Sequence, residues 1–186
     1  SVVGGFTDWC QVSAGASHSV GVRANGTAWA WGLNTFGRIG DNTVTGRTSP
    51  VSVVGGFTDW CRISASRYHS IGVRRNGTAW AWGSGCFGLL GDGTTVSRSS
   101  PVSVVGGFTD WREMSSSGCH SIGLRHNGTL WSWGRNNLGQ IGDGTTVDKS
   151  SPVLVVGGFA DWCQVSGGVE NNLGVRINGT AWGWGF

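Results

Sequence analysis

The sequence predicts an all-β protein, a β-propeller assembled from four-stranded antiparallel blades. The first observation behind this is a repeat. SVVGGFTDW begins at Ser1, Ser52 and Ser103, and LVVGGFADW begins at Leu154. HSVGVRANGTAWAWG of residues 18–32 returns in varied form at residues 69–83, 120–134 and 171–185, always 51 residues on. A module repeated at a fixed period cannot bury its apolar face alone and stacks on its neighbours. The second observation lies within each unit, where short β-prone segments alternate with turn residues. The 35 glycines and only three prolines fit many short strands and no collagen period. The units run 1–51, 52–102, 103–153 and, in part, 154–186.

In the first unit Cys10–Ala14 gives strand A, Ser19–Ala24 strand B, Thr27–Gly32 strand C and Val51–Val54 strand D. Pro50 stands at the entry of strand D, where its missing N–H is tolerated. Asn25-Gly26 predicts a two-residue type I′ turn between B and C. That turn pairs Ala24 with Thr27, Val22 with Trp29 and Val20 with Trp31. One blade face is then bulky, while the other carries Gly21, Ala28 and Ala30. Stacked blades interdigitate large against small. All twelve tryptophans fall on three repeat positions, which assigns them to packing. Pairing of Ser1–Val3 with Gly183–Phe186 is one way to close a ring; a longer array, or a ring of two or more copies, are the others.

Composition removes several function classes. A net charge of +3 gives little drive toward nucleic acid, and no 18-residue apolar run exists to span a membrane. His18, His69 and His120 share one repeat position, but Asn171 fills it in the fourth unit and no further ligands lie nearby. Histidines bonded to nearby backbone are expected there, not a metal site. Ser19, His18 and Asp8 would need to recur as a triad in every unit without a nucleophile elbow. GDGT at Gly91–Thr94 and Gly142–Thr145 lacks the Lys-Ser/Thr of a phosphate loop and the spaced acids of a calcium loop. Arg23, Arg74, Arg125 and Arg176 recur before the turn and are expected to lay their stems on the neighbouring blade. No catalytic residue, metal or cofactor is expected. Asn25, Asn76, Asn127 and Asn178 each open an Asn-Gly-Thr acceptor pattern for N-glycosylation, should the protein be secreted.

HSIGVRRNGTAWAWG of residues 69–83 and FGLLGDGTTVSRSSPVSV of residues 87–104 resemble the repeat of the regulator of chromosome condensation 1 family. The resemblance covers the whole chain. It implies a propeller, usually of seven blades, that works as a protein-binding platform. A light-sensing member of the family carries a Trp where this chain has Ala16, Arg67, Gly118 and Val169, so light sensing is not expected. No inserted wedge interrupts the spacing, which leaves exchange-factor activity toward a GTPase behind the other readings.

The four units disagree mainly in two connections. Between A and B they carry Ala16-Ser17, Arg67-Tyr68, Gly118-Cys119 and Val169-Glu170. Between C and D they carry Leu33, Phe36 and Arg38, then Phe87 and Leu89, then Arg135, Asn137, Leu138 and Gln140. Both connections leave an up-and-down blade on the same face, opposite the Asn-Gly turns. Loops on a rigid scaffold carry function, and this mixture of aromatic, Arg and apolar residues suits a protein interface. The expected function is therefore a non-enzymatic scaffold binding a protein partner through Ser17, Glu170 and the other residues named in these connections. The alternative is a structural subunit that self-associates into an extracellular oligomer or filament. Cys86 and Cys119, each unique to its unit, lie on this face of adjoining units and form the candidate disulfide.

Overall fold

A tryptophan opens the first strand of every blade. The computed structural model describes residues 4–186 and forms four antiparallel sheets, one per repeat. The first is β1 (Trp9–Ala14), β2 (His18–Arg23), β3 (Ala28–Gly32) and β4 (Arg47–Ser52), paired in chain order. The second is β5 (Trp60–Ala65), β6 (His69–Arg74), β7 (Ala79–Gly83) and β8 (Arg98–Ser103). The third is β9 (Trp111–Ser116), β10 (His120–Arg125), β11 (Leu130–Gly134) and β12 (Lys149–Leu154). The fourth has three strands among the described residues: β13 (Trp162–Gly167), β14 (Asn171–Arg176) and β15 (Ala181–Gly185). The inner strands β1, β5, β9 and β13 pack in succession, as in a propeller. The expected pairing of Ser1–Val3 lies outside the described residues.

The B–C turn differs from the expectation by one residue. Only Gly26 has a positive φ, at 78°, and Asn25 does not. Gly26 N–H donates to Arg23 O (2.8 Å) and Arg23 N–H donates to Thr27 O (3.0 Å). This is a three-residue loop, a turn closed by a left-handed glycine, and not type I′. A one-residue shift moves every side chain to the other face. Val22 therefore pairs with Ala28, Val20 with Ala30, and Gly21 with Trp29. The valines and alanines share one face; the tryptophans take the other. A Cβ on Gly21 would stand 2.8 Å from the Trp9 ring, so the glycine makes room for that indole. Strand D also begins earlier than expected: Pro50 lies inside β4, an outer edge strand whose free side needs no N–H.

Large still meets small, but between blades. Val20, Val22, Ala28 and Ala30 of blade one form one buried cluster with Trp60, Ile63 and Trp82 of blade two. The next two seams repeat the arrangement. The end blades show what the stacking contributes. Val12 is 65% exposed, whereas Ile63 at the same repeat position is 3% exposed. Leu173 is 62% exposed, whereas Val20 at its repeat position is fully buried.

The His-Ser pair is a clasp between blades. His18 Nε2 bonds Ser70 Oγ at 2.8 Å, and His69 Nε2 bonds Ser121 Oγ at 2.7 Å. His120 Nε2 bonds Asn172 Oδ1 at 2.8 Å, Asn172 taking the place of serine in the last unit. Ser70, Ser121 and Asn172 in turn donate to the carbonyls of Arg38, Leu89 and Gln140. The histidines thus reach a side chain of the next blade and not the nearby backbone. Ser19 is not the partner of His18. Asp8 belongs to Arg23, whose Nε donates to Asp8 Oδ1 at 2.7 Å and whose Cζ lies 4.1 Å from the centre of the Phe6 ring. The repeated arginines therefore stack within their own unit, not on the neighbour.

Candidate functional site

The C–D connection is held by one buried asparagine in units one and three. Asn136 Nδ2 donates to Asp143 Oδ1 (3.1 Å), Thr145 O (3.0 Å) and Val147 O (3.1 Å), and its Oδ1 accepts from Ile141 N–H (2.9 Å). Asn34 makes the same set in unit one. Asp143 is itself pinned by Thr145 and Lys149. The GDGT element is thus a structural turn. Burial works to raise the Asp41, Asp92 and Asp143 carboxyls, but threonine and cation partners outweigh it and hold all three below the usual carboxylate range. Asn136→Ala is expected to cost about 2–3 kcal/mol, because several buried groups lose their partner; urea unfolding of the variant measures it.

Unit two has Gly85 in the asparagine's place. Its loop forms a short 3₁₀ turn, Cys86–Gly88, and Phe87 sits at φ 60°, ψ 7°. A phenylalanine in the left-handed region is strained, and such strain is kept where it serves function. Its side chain remains exposed.

The A–B and C–D connections do share one face. Tyr68 and Cys119 from the former, with Phe36, Phe87 and Arg135 from the latter, line one pocket of about 210 Å³. Phe36 meets Tyr68 edge to face, centroids 6.4 Å apart. Arg67 Cζ lies 5.1 Å from the Tyr68 ring centre and Arg135 Cζ 5.4 Å from that of Phe87. Cys86 also lines this pocket; it and Cys119 are unbonded thiols. Ser17 and Leu33 meet within blade one, where Leu33 N–H donates to Ser17 O at 2.8 Å and extends the pairing of β2 with β3. Asn137 is exposed, Leu138 and Glu170 are half-buried, and none of the three lines the pocket.

Three members of the candidate set have buried side chains, although Leu89 also lines the pocket. Arg38, Leu89 and Gln140 are 3%, 1% and 1% exposed. Their repeat position lies over the seam, where their carbonyls hold the clasp of the next blade. The Asn-Gly turns face away from this site. Asn25, Asn76, Asn127 and Asn178 are exposed, with each Oδ1 accepting from the threonine two residues on.

A larger cavity, about 510 Å³, opens where the inner strands begin, lined by Cys10, Gln11, Cys61, Arg62, Arg112 and Glu113. Part of its lining is committed to the scaffold. Gln11 exchanges two hydrogen bonds with the Ile63 backbone, and Arg112 donates to Cys163 O. Among the described residues no group of three or more His, Cys, Asp or Glu is placed to hold a metal ion, and no helix is long and apolar enough to cross a membrane.

Stacked four-stranded blades, a repeated clasp and a face of variable loops define a repeat-built β-propeller. Two family models of the regulator of chromosome condensation (RCC1) repeat match it, one at residues 25–73, 76–124 and 127–175, the other at 9–38, 60–89 and 111–140. The chain belongs to the RCC1 repeat family. It is 30% identical to the ultraviolet-B receptor UVR8 of Arabidopsis thaliana over 180 residues, 94% of this chain and 40% of that protein. It is 28% identical to the human E3 ubiquitin-protein ligase HERC2 over 153 residues, 79% of this chain and 3% of the ligase. Among solved structures, human WBSCR16 superposes with a TM-score of 0.85 at 19% identity, over 98% of this chain and 49% of the other. Yeast RCC1 (Prp20), solved with Kap60 bound, gives 0.84 at 20% identity, over 100% of this chain and 45% of the other. The chain thus spans half or less of each of these proteins.

Proposed function

We propose that the protein is a non-enzymatic scaffold that binds a protein partner on the face made by the A–B and C–D connections. One observation carries this reading: Phe36, Tyr68 and Phe87 are gathered into one pocket with Arg135, Phe87 at the cost of a strained backbone. Exposed aromatics with neighbouring arginines are the residues that dominate binding energy at protein interfaces. The histidines that catalysis would use are instead buried in clasps. That yeast RCC1 was solved bound to Kap60 supports a binding role for the fold. Replacing Arg67, Tyr68 and Phe87 with Ala tests the proposal. Capture of a partner from the native source is expected to fall at least about tenfold, the loss of a single hot-spot contact. Unchanged capture by the folded variant would refute it.

A second reading, self-association into a larger assembly, is favoured by the exposed apolar side chains of Val12 and Leu173. Light scattering separates the two. A mass of 19.4 kDa for this chain favours the scaffold, and a multiple of it favours the assembly.

A further inference from the structure

Ion pairing sorts the arginines into two groups. Of thirteen Lys and Arg and ten Asp and Glu, seven of each are engaged in ion pairs, mostly at repeat positions. The cations outside such pairs are Arg38, Arg62, Arg67, Arg75, Arg112 and Arg135. Arg38, Arg67 and Arg135 belong to the variable face, whose unpaired acids are Asp148 and Glu170.

Arg38 is the anomaly. Its side chain is almost fully buried, yet no described carboxylate pairs with it. Its Nη1 donates to Arg67 O at 2.7 Å, and its Nε is buried without a partner. His18 Nδ1, at the same seam, also lacks a partner, as does His120 Nδ1 two blades on, while His69 Nδ1 between them bonds Ser66 Oγ at 2.8 Å. A buried charge without a counter-ion is costly and is rarely kept without a use. The fold does not need it, because Leu89 and Gln140 fill the same position at the next two seams. Above Arg38 lies Phe36, its ring centre 5.6 Å from the guanidinium carbon, and Phe36 meets Tyr68 at the pocket edge.

We propose that this seam receives an acidic segment of a protein partner, a carboxylate pairing with Arg38 and Arg67 while an adjacent apolar side chain enters the pocket between Phe36, Tyr68 and Phe87. This rests on the loop face being the partner-binding face. Charge complementarity favours a protein carboxylate over nucleic acid: three arginines on this face, near Asp148 and Glu170, are too few to neutralise a run of phosphates.

The test uses a fluorescein-labelled peptide, Glu-Glu-Phe-Glu-Glu-Leu-Glu-Glu, its Lys-for-Glu counterpart and an eight-nucleotide oligothymidine. The acidic peptide is expected to bind the wild-type chain, and neither of the others to compete. Arg38→Leu installs the residue of unit two and Arg38→Gln that of unit three. Each is expected to weaken peptide binding at least about tenfold. Arg38→Leu is also expected to raise the melting temperature, by roughly 2–4 °C, because an uncompensated buried charge is removed. Loss of binding with a gain in stability is a pair of effects that a merely structural arginine would not show. Failure of the acidic peptide to bind, equal binding by Arg38→Leu, a lower melting temperature in that variant, or competition by the oligothymidine would each overturn the proposal. If capture of a native partner is lost on replacing Arg67, Tyr68 and Phe87 but kept in Arg38→Leu, the loop face stands and the acidic seam falls.

Discussion

Trp133→Ala is expected to cost about 3–5 kcal/mol, among the largest effects of any single substitution in the chain. The indole is fully buried in the cluster that joins blades two and three, with Ile71, Val73 and Trp111. Its Nε1 donates to Leu89 O at 3.1 Å, and Gly91 lies so close that a Cβ there would stand 2.6 Å from the same nitrogen. Truncation removes one of the largest apolar side chains and leaves a cavity in a wall too closely packed to collapse. Trp182→Ala is the control, because Trp182 is 46% exposed on the last blade and its loss is expected to cost only about 1 kcal/mol. Urea unfolding of the two variants makes the comparison. Similar losses for both would mean that blade stacking is not the main source of stability.

Acidification is expected to unfold the protein before its carboxylates titrate. Burial pulls the His18 imidazole down to about 4, helped by the nearby Arg38 charge. Burial pulls His69 down to about 3, helped by His18 and His120. His120 is also lowered by burial, against the opposing pull of Asn172 and Glu170. The unfolded chain takes up protons below about pH 6.5, while the folded chain keeps these rings neutral until its lowered values are reached. Stability is therefore whole above pH 6.5 and falls as pH drops from there toward 4. Each ring contributes up to about 1.4 kcal/mol per pH unit, so His18 and His69 together remove about 4 kcal/mol by pH 5. The lowered carboxyls of Asp8, Asp41, Asp92 and Asp143 act in the same direction, but only at lower pH. Urea midpoints between pH 7 and 5 test this, with His69→Asn as the control that flattens the slope by about one proton. A midpoint independent of pH over that range would remove the clasp from the explanation.

The repeat made the architecture legible, since a 51-residue period with four strand signals leaves few alternatives to a propeller. The Asn-Gly pair located the hairpin but not its register. A two-residue and a three-residue loop share the same residues, and one residue of difference decides which face the valines take. The His-Ser clasp was hidden for another reason. It joins residues 52 positions apart, and only the stacking of one blade on the next brings them together. The loop face was legible because the units disagree there. What the pattern could not separate was exposed from buried variation: Arg38 varies as freely as Phe36, yet it lies beneath it.

If the repeated residues build the blades and the varied ones bind, a repeat-swap separates the two most directly. Arg67→Ala with Tyr68→Ser gives unit two the A–B connection of unit one, which already folds in this chain. The melting temperature of the double variant is expected to stay within about 2 °C of the wild type, because the contacts it removes lie at the loop surface and not in the seams between blades. Partner capture is expected to fall by about tenfold or more. Retained capture, or a fall in melting temperature that accounts for the loss, would contradict the division of labour between repeated and varied positions.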